Sequence, residues 1–130
     1  LLAAGVPVAF GHDCVMDPWY SLGSGDMLEV AHMGLHVAQM TGQDAMRACF
    51  QAVTATPAAI LGLDDTGLAV GKRADLVLLQ ARDPVEALRL RATRLMVLRA
   101  GNVVATTPPA TATLNLPGRP AQVSFQTPAR

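Results

Sequence analysis

The residues best suited to chemistry lie at the end of a short apolar stretch. Residues 6–10, Val-Pro-Val-Ala-Phe, are apolar without alternation, which is typical of a strand buried on both faces of a parallel sheet. Asp13 follows this predicted strand, at the position where α/β barrels place catalytic groups. A carboxylate there can bind a divalent metal ion and accept a proton from the bound water. The other interpretation is that Asp13 caps the following loop through neighbouring amides.

The two neighbours of Asp13 are weaker candidates for chemistry. Because successive side chains of a strand point to opposite faces, His12 is expected to face away from Asp13, as a hydrogen-bonded structural residue. Cys14 could act as a nucleophile only with a nearby base and a lowered thiol pKa, and the sequence offers no such arrangement. We therefore interpret Cys14 as part of a pocket wall.

Three further residues are candidates for metal ligands or pocket walls. His32 and His36 stand four apart on one predicted helix face, a spacing that can chelate zinc, but Met33 replaces the glutamate of the metalloprotease pattern. Two histidines also fall short of the three or four protein ligands that zinc takes, so packing is the favoured interpretation. Trp19, the single tryptophan, follows Asp13 in a loop, where an aromatic either shields a core edge or lines an apolar ligand pocket.

Helices are predicted to follow the Asp13 segment. After a loop over residues 15–25, Asp26 is expected to cap a helix that extends to about Thr41. A second helix is predicted over residues 44–53, and Thr56-Pro57 is expected to begin a third, which Gly62 ends.

The second half of the chain is predicted to be rich in β structure. Five of the nine prolines fall in the tail over residues 106–130, which limits it to one or two edge strands. The predicted elements before the tail are a strand over 75–79, a helix from Asp83-Pro84 to Leu90, a strand over 95–98, and a hairpin turn at Gly101-Asn102 into a strand over 103–105.

Composition excludes several classes of function. Ten basic and ten acidic side chains give a net charge of zero, which argues against a nucleic-acid-binding module. The hydrophobic fraction of 51% argues against disorder, and no apolar run reaches the roughly 18 residues of a membrane helix. Two cysteines without a secretory signal favour a reduced, cytoplasmic setting. Because residues 1–5, Leu-Leu-Ala-Ala-Gly, are typical of a helix end, we expect the chain to be a piece of a longer protein.

Several motifs occur in the order found in metal-dependent amidohydrolases, and together they resemble that superfamily. They are Gly11-His12-Asp13, Thr56-Pro57-Ala58, Leu61-Gly62-Leu63 and the stretch Gly-Lys-Arg-Ala-Asp-Leu-Val-Leu-Leu over residues 71–79. Residues 11–23 and 27–37 closely resemble bacterial cytosine deaminases. The resemblance extends to about Val104.

The resemblance implies an α/β fold, the C-terminal part of a TIM-like (β/α)8 metallo-hydrolase barrel plus part of a small β-sandwich. Residues 1–62 would supply the last barrel strand, the active-site loop and the C-terminal barrel helices. Residues 63–130 would supply the C-terminal part of the β-sandwich with its proline-rich tail. A typical barrel takes roughly 250 residues, so this chain cannot contain a whole one.

The resemblance also implies a reaction, the hydrolytic deamination of cytosine to uracil and ammonia. Asp13 would ligate one divalent ion, iron or zinc, and shuttle the proton of the metal-activated water, while Trp19 and Cys14 would contact the substrate. Close cytosine deaminases often have a second aspartate where this chain has Cys14, so the ring substituents of the substrate stay open. The histidine ligands and the upstream acid of the family are absent, so this chain alone is expected to be inactive and not to retain the metal.

The implied partners are a small-molecule pyrimidine substrate and, in the full-length form, further copies of the same protein, with no nucleic acid and no membrane. One alternative is another ring amidohydrolase or deaminase, acting on a triazine, creatinine or an isoguanine-like base. The other is a non-catalytic fragment or oligomerising module, whose interface would include residues 6–10 and the helix of His32 and His36.

Overall fold

The computed structural model describes residues 1–126, which form an α/β chain of helices and small antiparallel sheets. Its elements, in chain order, are a 3-10 helix (Leu2–Ala4), α1 (Met27–Val37), α2 (Gln43–Gln51), α3 (Ala55–Ile60), β1 (Leu76–Leu79), α4 (Pro84–Leu90), β2 (Arg94–Arg99), β3 (Asn102–Thr106), β4 (Ala112–Thr113) and β5 (Gln122–Val123).

Two aspartates begin helices, as their positions in the sequence predict. The Asp26 carboxylate accepts a hydrogen bond of 2.9 Å from the amide of Leu28 at the start of α1. The Asp83 carboxylate accepts one of 2.8 Å from the amide of Glu86 at the start of α4. Pro84 is the first residue of α4, where its missing N–H costs no helical hydrogen bond. Both caps satisfy backbone amides that the helix itself leaves unpaired.

The predicted strand at residues 6–10 is not formed, which corrects the first expectation of the sequence analysis. Within residues 1–126, the strands belong to a three-stranded sheet in the order β1-β2-β3 and a two-stranded sheet of β4 and β5. Neither sheet pairs with residues 6–10, and the amide of Phe10 instead donates to the carbonyl of Ala52 at 2.8 Å. A strand needs a neighbouring strand for its backbone groups, and this segment has none beside it in the described chain.

Several element boundaries also differ from prediction by one or two residues, and the end of α1 differs by more. Helix α1 ends at Val37 and not near Thr41, because the chain turns through Gln39 at a φ of 53° and the amide of Met40 bonds to the carbonyl of Leu35. Helix α3 begins at Ala55, before the predicted Thr56 cap.

The predicted hairpin is present with a shifted turn. Strands β2 and β3 pair antiparallel, and the turn residues are Ala100 and Gly101, at φ values of 48° and 80°. Two successive positive φ angles match the right-handed twist of the strands that the turn joins. The tail forms the short pair β4–β5, in keeping with its prolines, while residues 127–130 of the predicted tail lie outside the described residues.

One small core holds the helices and the β-rich half together. Helices α1, α2 and α4 contact one another, and Leu88 of α4 is fully buried between them. The other members of this core are Leu28, Ala31, Leu35, Cys49, Ala87 and Ala92. Since a core of this kind is close-packed, it fixes the orientation of α1, the helix against which the Asp13 segment lies.

Large apolar side chains also remain on the surface. Leu68 and Val70 are fully or almost fully exposed in the loop between α3 and β1, and Leu1 is 82% exposed. None of the helices in residues 1–126 has both the length and the apolar character required to cross a membrane.

Candidate functional site

A depression of about 710 Å³ lies between the Asp13 segment, the loop that follows it and helix α1. Asp13, Cys14 and Trp19, the three residues that the sequence analysis singled out, all line it. The other lining residues are Ala9, Phe10, Gly11, His12, Tyr20, Glu29, Val30, Met33, Gly34 and Val37. The structure therefore brings the predicted site residues to one concave surface, a common place for small-molecule binding.

Helix α1 positions the Asp13 segment through a contact between Phe10 and Gly34. A Cβ atom at Gly34 would come within 2.6 Å of Cε2 of the Phe10 ring, so the ring lies directly on the helix backbone. The hydrogen bond from the amide of Phe10 to Ala52 fixes the same residue from the side of α2. These two contacts hold the chain three residues before Asp13.

The loop after Asp13 is organised by Asp17. Its Oδ1 accepts hydrogen bonds from the amides of Trp19 at 2.9 Å and Tyr20 at 3.0 Å, which makes a tight turn. The amide of Met16 bonds to the carbonyl of Leu22, so the loop folds back on itself. Trp19 lies at the tip of this turn and is 87% exposed, so its ring is open to a ligand.

His12 supports the loop. A Cβ at Gly23, which has a φ of 89°, would lie 2.6 Å from Cε1 of the His12 ring and 3.2 Å from the Cys14 carbonyl oxygen. Gly23 is thus required both by its backbone conformation and by its close approach to His12. His12 is half-buried beneath the loop, while Asp13 is exposed.

The surroundings of Cys14 raise the pKa of its thiol, which favours the protonated form. A hydrogen bond to the Asp17 carboxylate is the main reason that the pKa of Cys14 is raised, and the nearby charge of Asp13 acts in the same direction. The same hydrogen bond from Cys14 is the largest influence that lowers the pKa of Asp17. Because the thiolate is the nucleophilic form, this arrangement suits a pocket wall and not a nucleophile.

The carboxylate of Asp13 could serve as one ligand of a metal ion, which would need further ligands beside it. Residues 1–126 contain no group of three or more His, Cys, Asp or Glu side chains placed to hold a metal ion. Zinc sites in proteins use three or four protein ligands. The described residues around Asp13 therefore do not supply the full ligand set of a catalytic zinc site.

Sequence reasoning missed the contribution of helix α1 to the depression. Glu29, Met33 and Val37 line it, and their i, i+4, i+8 spacing places them on one face of the helix. Glu29 adds a second carboxylate, which accepts a hydrogen bond of 2.5 Å from the hydroxyl of Ser24. The spacing is visible in the sequence, but it does not by itself show which face of α1 meets the Asp13 segment.

His32 and His36 do not line the depression. Nδ1 of His32 lies 2.9 Å from the carbonyl oxygen of Leu88 in α4, and the Nε2 atoms of the two rings are 3.3 Å apart. His32 therefore contacts α4, and His36 contacts His32.

Comparison with known proteins adds an independent line of evidence. The sequence profile of the Amidohydrolase family matches residues 1–105. The chain is 39% identical over 105 residues to pterin deaminase of Rhizobium rhizogenes (strain K84), covering 80% of this chain and 24% of that protein. It is 30% identical over 105 residues to N-isopropylammelide isopropyl amidohydrolase of Pseudomonas sp. (strain ADP), covering 80% of this chain and 26% of that protein.

A solved structure agrees with these sequence matches. The crystal structure of 5-methylcytosine deaminase from Klebsiella pneumoniae, liganded with phosphonocytosine, superposes with a TM-score of 0.78 at 37% identity and covers 88% of this chain and 28% of that one. The chain spans about a quarter of the length of the curated relatives it matches.

Proposed function

The chain belongs to the amidohydrolase family, and from this we propose that the whole protein is a hydrolytic deaminase of an amino-substituted nitrogen heterocycle. The observation that carries the proposal is that Asp13, Cys14 and Trp19 meet in one depression within a chain 37% identical to a 5-methylcytosine deaminase. The relatives named pterin deaminase and 5-methylcytosine deaminase both act on a ring that contains an aminopyrimidine. Cytosine, the substrate indicated by the resemblance of residues 11–23 and 27–37, is therefore our first candidate.

Asp13 is the proposed reactive group of this chain. It is exposed in the depression and lies next to the thiol of Cys14. A carboxylate in this position can take a proton from the attacking water and return it to the leaving amino group, so that cytosine and water yield uracil and ammonia. Positioned acid–base catalysis of this kind contributes roughly 10²–10⁴-fold to a rate.

We propose a metal ion for the whole protein, and not for residues 1–126 by themselves. The iron or zinc ion implied by the resemblance would supply activated water when bound. Asp13 would be one of its ligands, and the other ligands would come from outside the described residues.

Trp19 and Cys14 are the proposed substrate contacts. Trp19 presents an exposed aromatic ring beside Asp13, suited to cover a flat heterocycle. Cys14 presents a neutral S–H, a weak donor, where a second carboxylate would instead accept hydrogen bonds. We propose that this difference sets which ring substituents are accepted.

The proposed place of the chain in the whole protein follows the same resemblance. Residues 1–62 would contribute the last barrel strand, the active-site loop and the C-terminal barrel helices, and residues 63–130 part of a small β-sandwich. Under this proposal, residues 6–10 gain their strand partners from the rest of the barrel, and the surface apolar side chains are covered there.

A triazine ring is the second candidate substrate, because the chain is 30% identical to an enzyme named for N-isopropylammelide. A substrate panel separates the two candidates. The protein, purified as its source makes it, would be supplied with cytosine, 5-methylcytosine, pterin and N-isopropylammelide, and ammonia and isopropylamine release would be measured. Preference for cytosine supports the first candidate, preference for N-isopropylammelide replaces it with the second, and no turnover of any of them contradicts the proposal.

A further inference from the structure

Two imidazole rings form a pair on α1, and one of them, that of His32, contacts α4. The Nε2 atoms of His32 and His36 are 3.3 Å apart, and the ring centroids are 4.7 Å apart at an interplanar angle of 73°. His36 is exposed and His32 is half-buried. Because both rings belong to one helix, the helix itself limits how far they can separate.

The contacts of His32 decide which of its nitrogens carries the hydrogen. The carbonyl oxygen of Leu88 can only accept a hydrogen bond, so Nδ1 of His32, 2.9 Å away, must donate. In the neutral ring Nε2 then bears a lone pair, which accepts the N–H of His36. This is the arrangement found around metal-bound histidines, in which the second nitrogen donates to a backbone carbonyl and fixes the tautomer and the ring.

The separation of the two Nε2 atoms matches a tetrahedral metal ion. Ligand distances of 2.0–2.1 Å and a tetrahedral angle place two nitrogens about 3.3–3.4 Å apart. Binding would require that the hydrogen on Nε2 of His36 move to its own Nδ1 by exchange with water. Both rings would also have to turn, because their Nε2 lone pairs now lie along the line between the two nitrogens and must converge on an ion beside it. No net proton is released or taken up.

We propose that His32 and His36 form a binding site for a divalent transition metal ion of the zinc class, the ions that imidazole ligands suit. Since no third His, Cys, Asp or Glu of residues 1–126 completes a group with them, water fills the remaining positions. The site does not involve the depression around Asp13 and does not depend on the proposed deaminase activity.

Titration with Co²⁺ tests this site on the full 130-residue chain. Co²⁺ takes the place of zinc, and its visible absorption reports tetrahedral coordination and separates nitrogen from thiolate ligands. We expect one ion per chain with no thiolate charge-transfer band. His36→Gln should weaken binding by at least roughly tenfold, the lower end of what loss of a supporting partner costs metal sites. His32→Gln should do the same by removing the anchored ligand.

The third histidine of the chain provides the matched control. His12→Gln removes an imidazole elsewhere and should leave Co²⁺ binding unchanged. His36 is exposed, so its glutamine variant should keep the fold, which circular dichroism would check. Three outcomes would overturn the proposal: no Co²⁺ binding by the parent chain, equal binding by His36→Gln, or a spectrum dominated by thiolate ligation through Cys14 or Cys49.

Discussion

The first 25 residues and the helices that follow them differ in what holds them in place. Residues 1–25 contain the groups proposed for chemistry, and none of these residues is buried. Helices α1, α2 and α4 contribute the core around Leu88. The first region is held by a few contacts, such as those of Phe10 and Asp17, and the second by close packing.

This difference implies that stability and reactivity depend on different residues of the chain. Since core burial dominates folding free energy, changes among the exposed groups of residues 1–25 should alter reactivity with little effect on unfolding. Changes in the core should do the opposite. Substitutions in the two regions test this separation, from the largest expected effect on stability to the smallest.

Removing the Leu88 side chain should cost the most. Leu88→Ala leaves a cavity in the core of α1, α2 and α4 and should lower the free energy of unfolding by about 2–5 kcal/mol. Chemical denaturation measures this change. Leu78→Ala, at a leucine that is 54% exposed, is the control and should cost far less. Equal costs at the two positions would mean that the core is not where the structure places it.

Adding a methyl group at Gly34 should have the next largest effect on stability. It would disturb a contact between residues 1–25 and the helices. Gly34→Ala places a methyl group against the Phe10 ring, and overpacking of this kind costs about 1–3 kcal/mol, partly offset by the better helix propensity of alanine. Denaturation of the variant would show the change. Gly11→Ala is the control, because no atom beyond its own chain neighbours lies within 4 Å of the added Cβ. Identical stability of the two variants would contradict the Phe10 contact.

Acid should weaken the β-rich half through Asp75. The hydrogen bond from the amide of Ala100 and the Arg73 guanidinium lower the pKa of Asp75 below its ordinary value. A lowered folded-state pKa stabilises the fold above the unfolded-state pKa of about 3.9, and this contribution is lost as the pH falls through the folded-state value. Unfolding midpoints measured from pH 6 to pH 2 should therefore fall less steeply for Asp75→Asn than for the parent chain. Asp44→Asn, at an exposed ion pair, should follow the parent chain, and parallel curves for all three would refute the prediction.

A smaller effect is expected at Cys14, where the rate of alkylation of the thiol should change. Asp17→Asn removes the carboxylate that raises the pKa of the Cys14 thiol, so more thiolate should form at a given pH. Alkylation of Cys14 by iodoacetamide at pH 8, followed by peptide mass spectrometry, should become faster. Cys49 is buried in the same molecule and serves as an internal control. Unchanged alkylation of Cys14 would show that Asp17 does not govern this thiol.

Local features of the fold could be predicted from the sequence, because their causes are local. The caps at Asp26 and Asp83 depend on a side chain and an amide two or three residues away. The hairpin depends on a glycine within its turn. The strand expected at residues 6–10 depends on partners elsewhere in a sheet, and the apolar run alone could not show that the described chain lacks them.

The candidate site was predictable only in part, for the same reason. Asp13, Cys14 and Trp19 lie close together in sequence, and their residue types are enough to indicate a site without knowledge of tertiary contacts. Glu29 and Met33 reach the depression because α1 packs in one orientation on the core. That orientation is a tertiary property, which the helical spacing alone did not settle.

The Asp13→Asn variant of the protein as its source makes it tests the central claim most directly. The measurement is the rate at which it releases ammonia from cytosine. We predict that the rate falls by roughly 10²–10⁴-fold while the free energy of unfolding changes by less than about 0.5 kcal/mol. Asp44→Asn, which removes an exposed carboxylate paired with Arg47 on α2, should release ammonia at the parent rate. An Asp13→Asn protein that deaminates cytosine as fast as the parent would contradict the assignment of Asp13 as the reactive group.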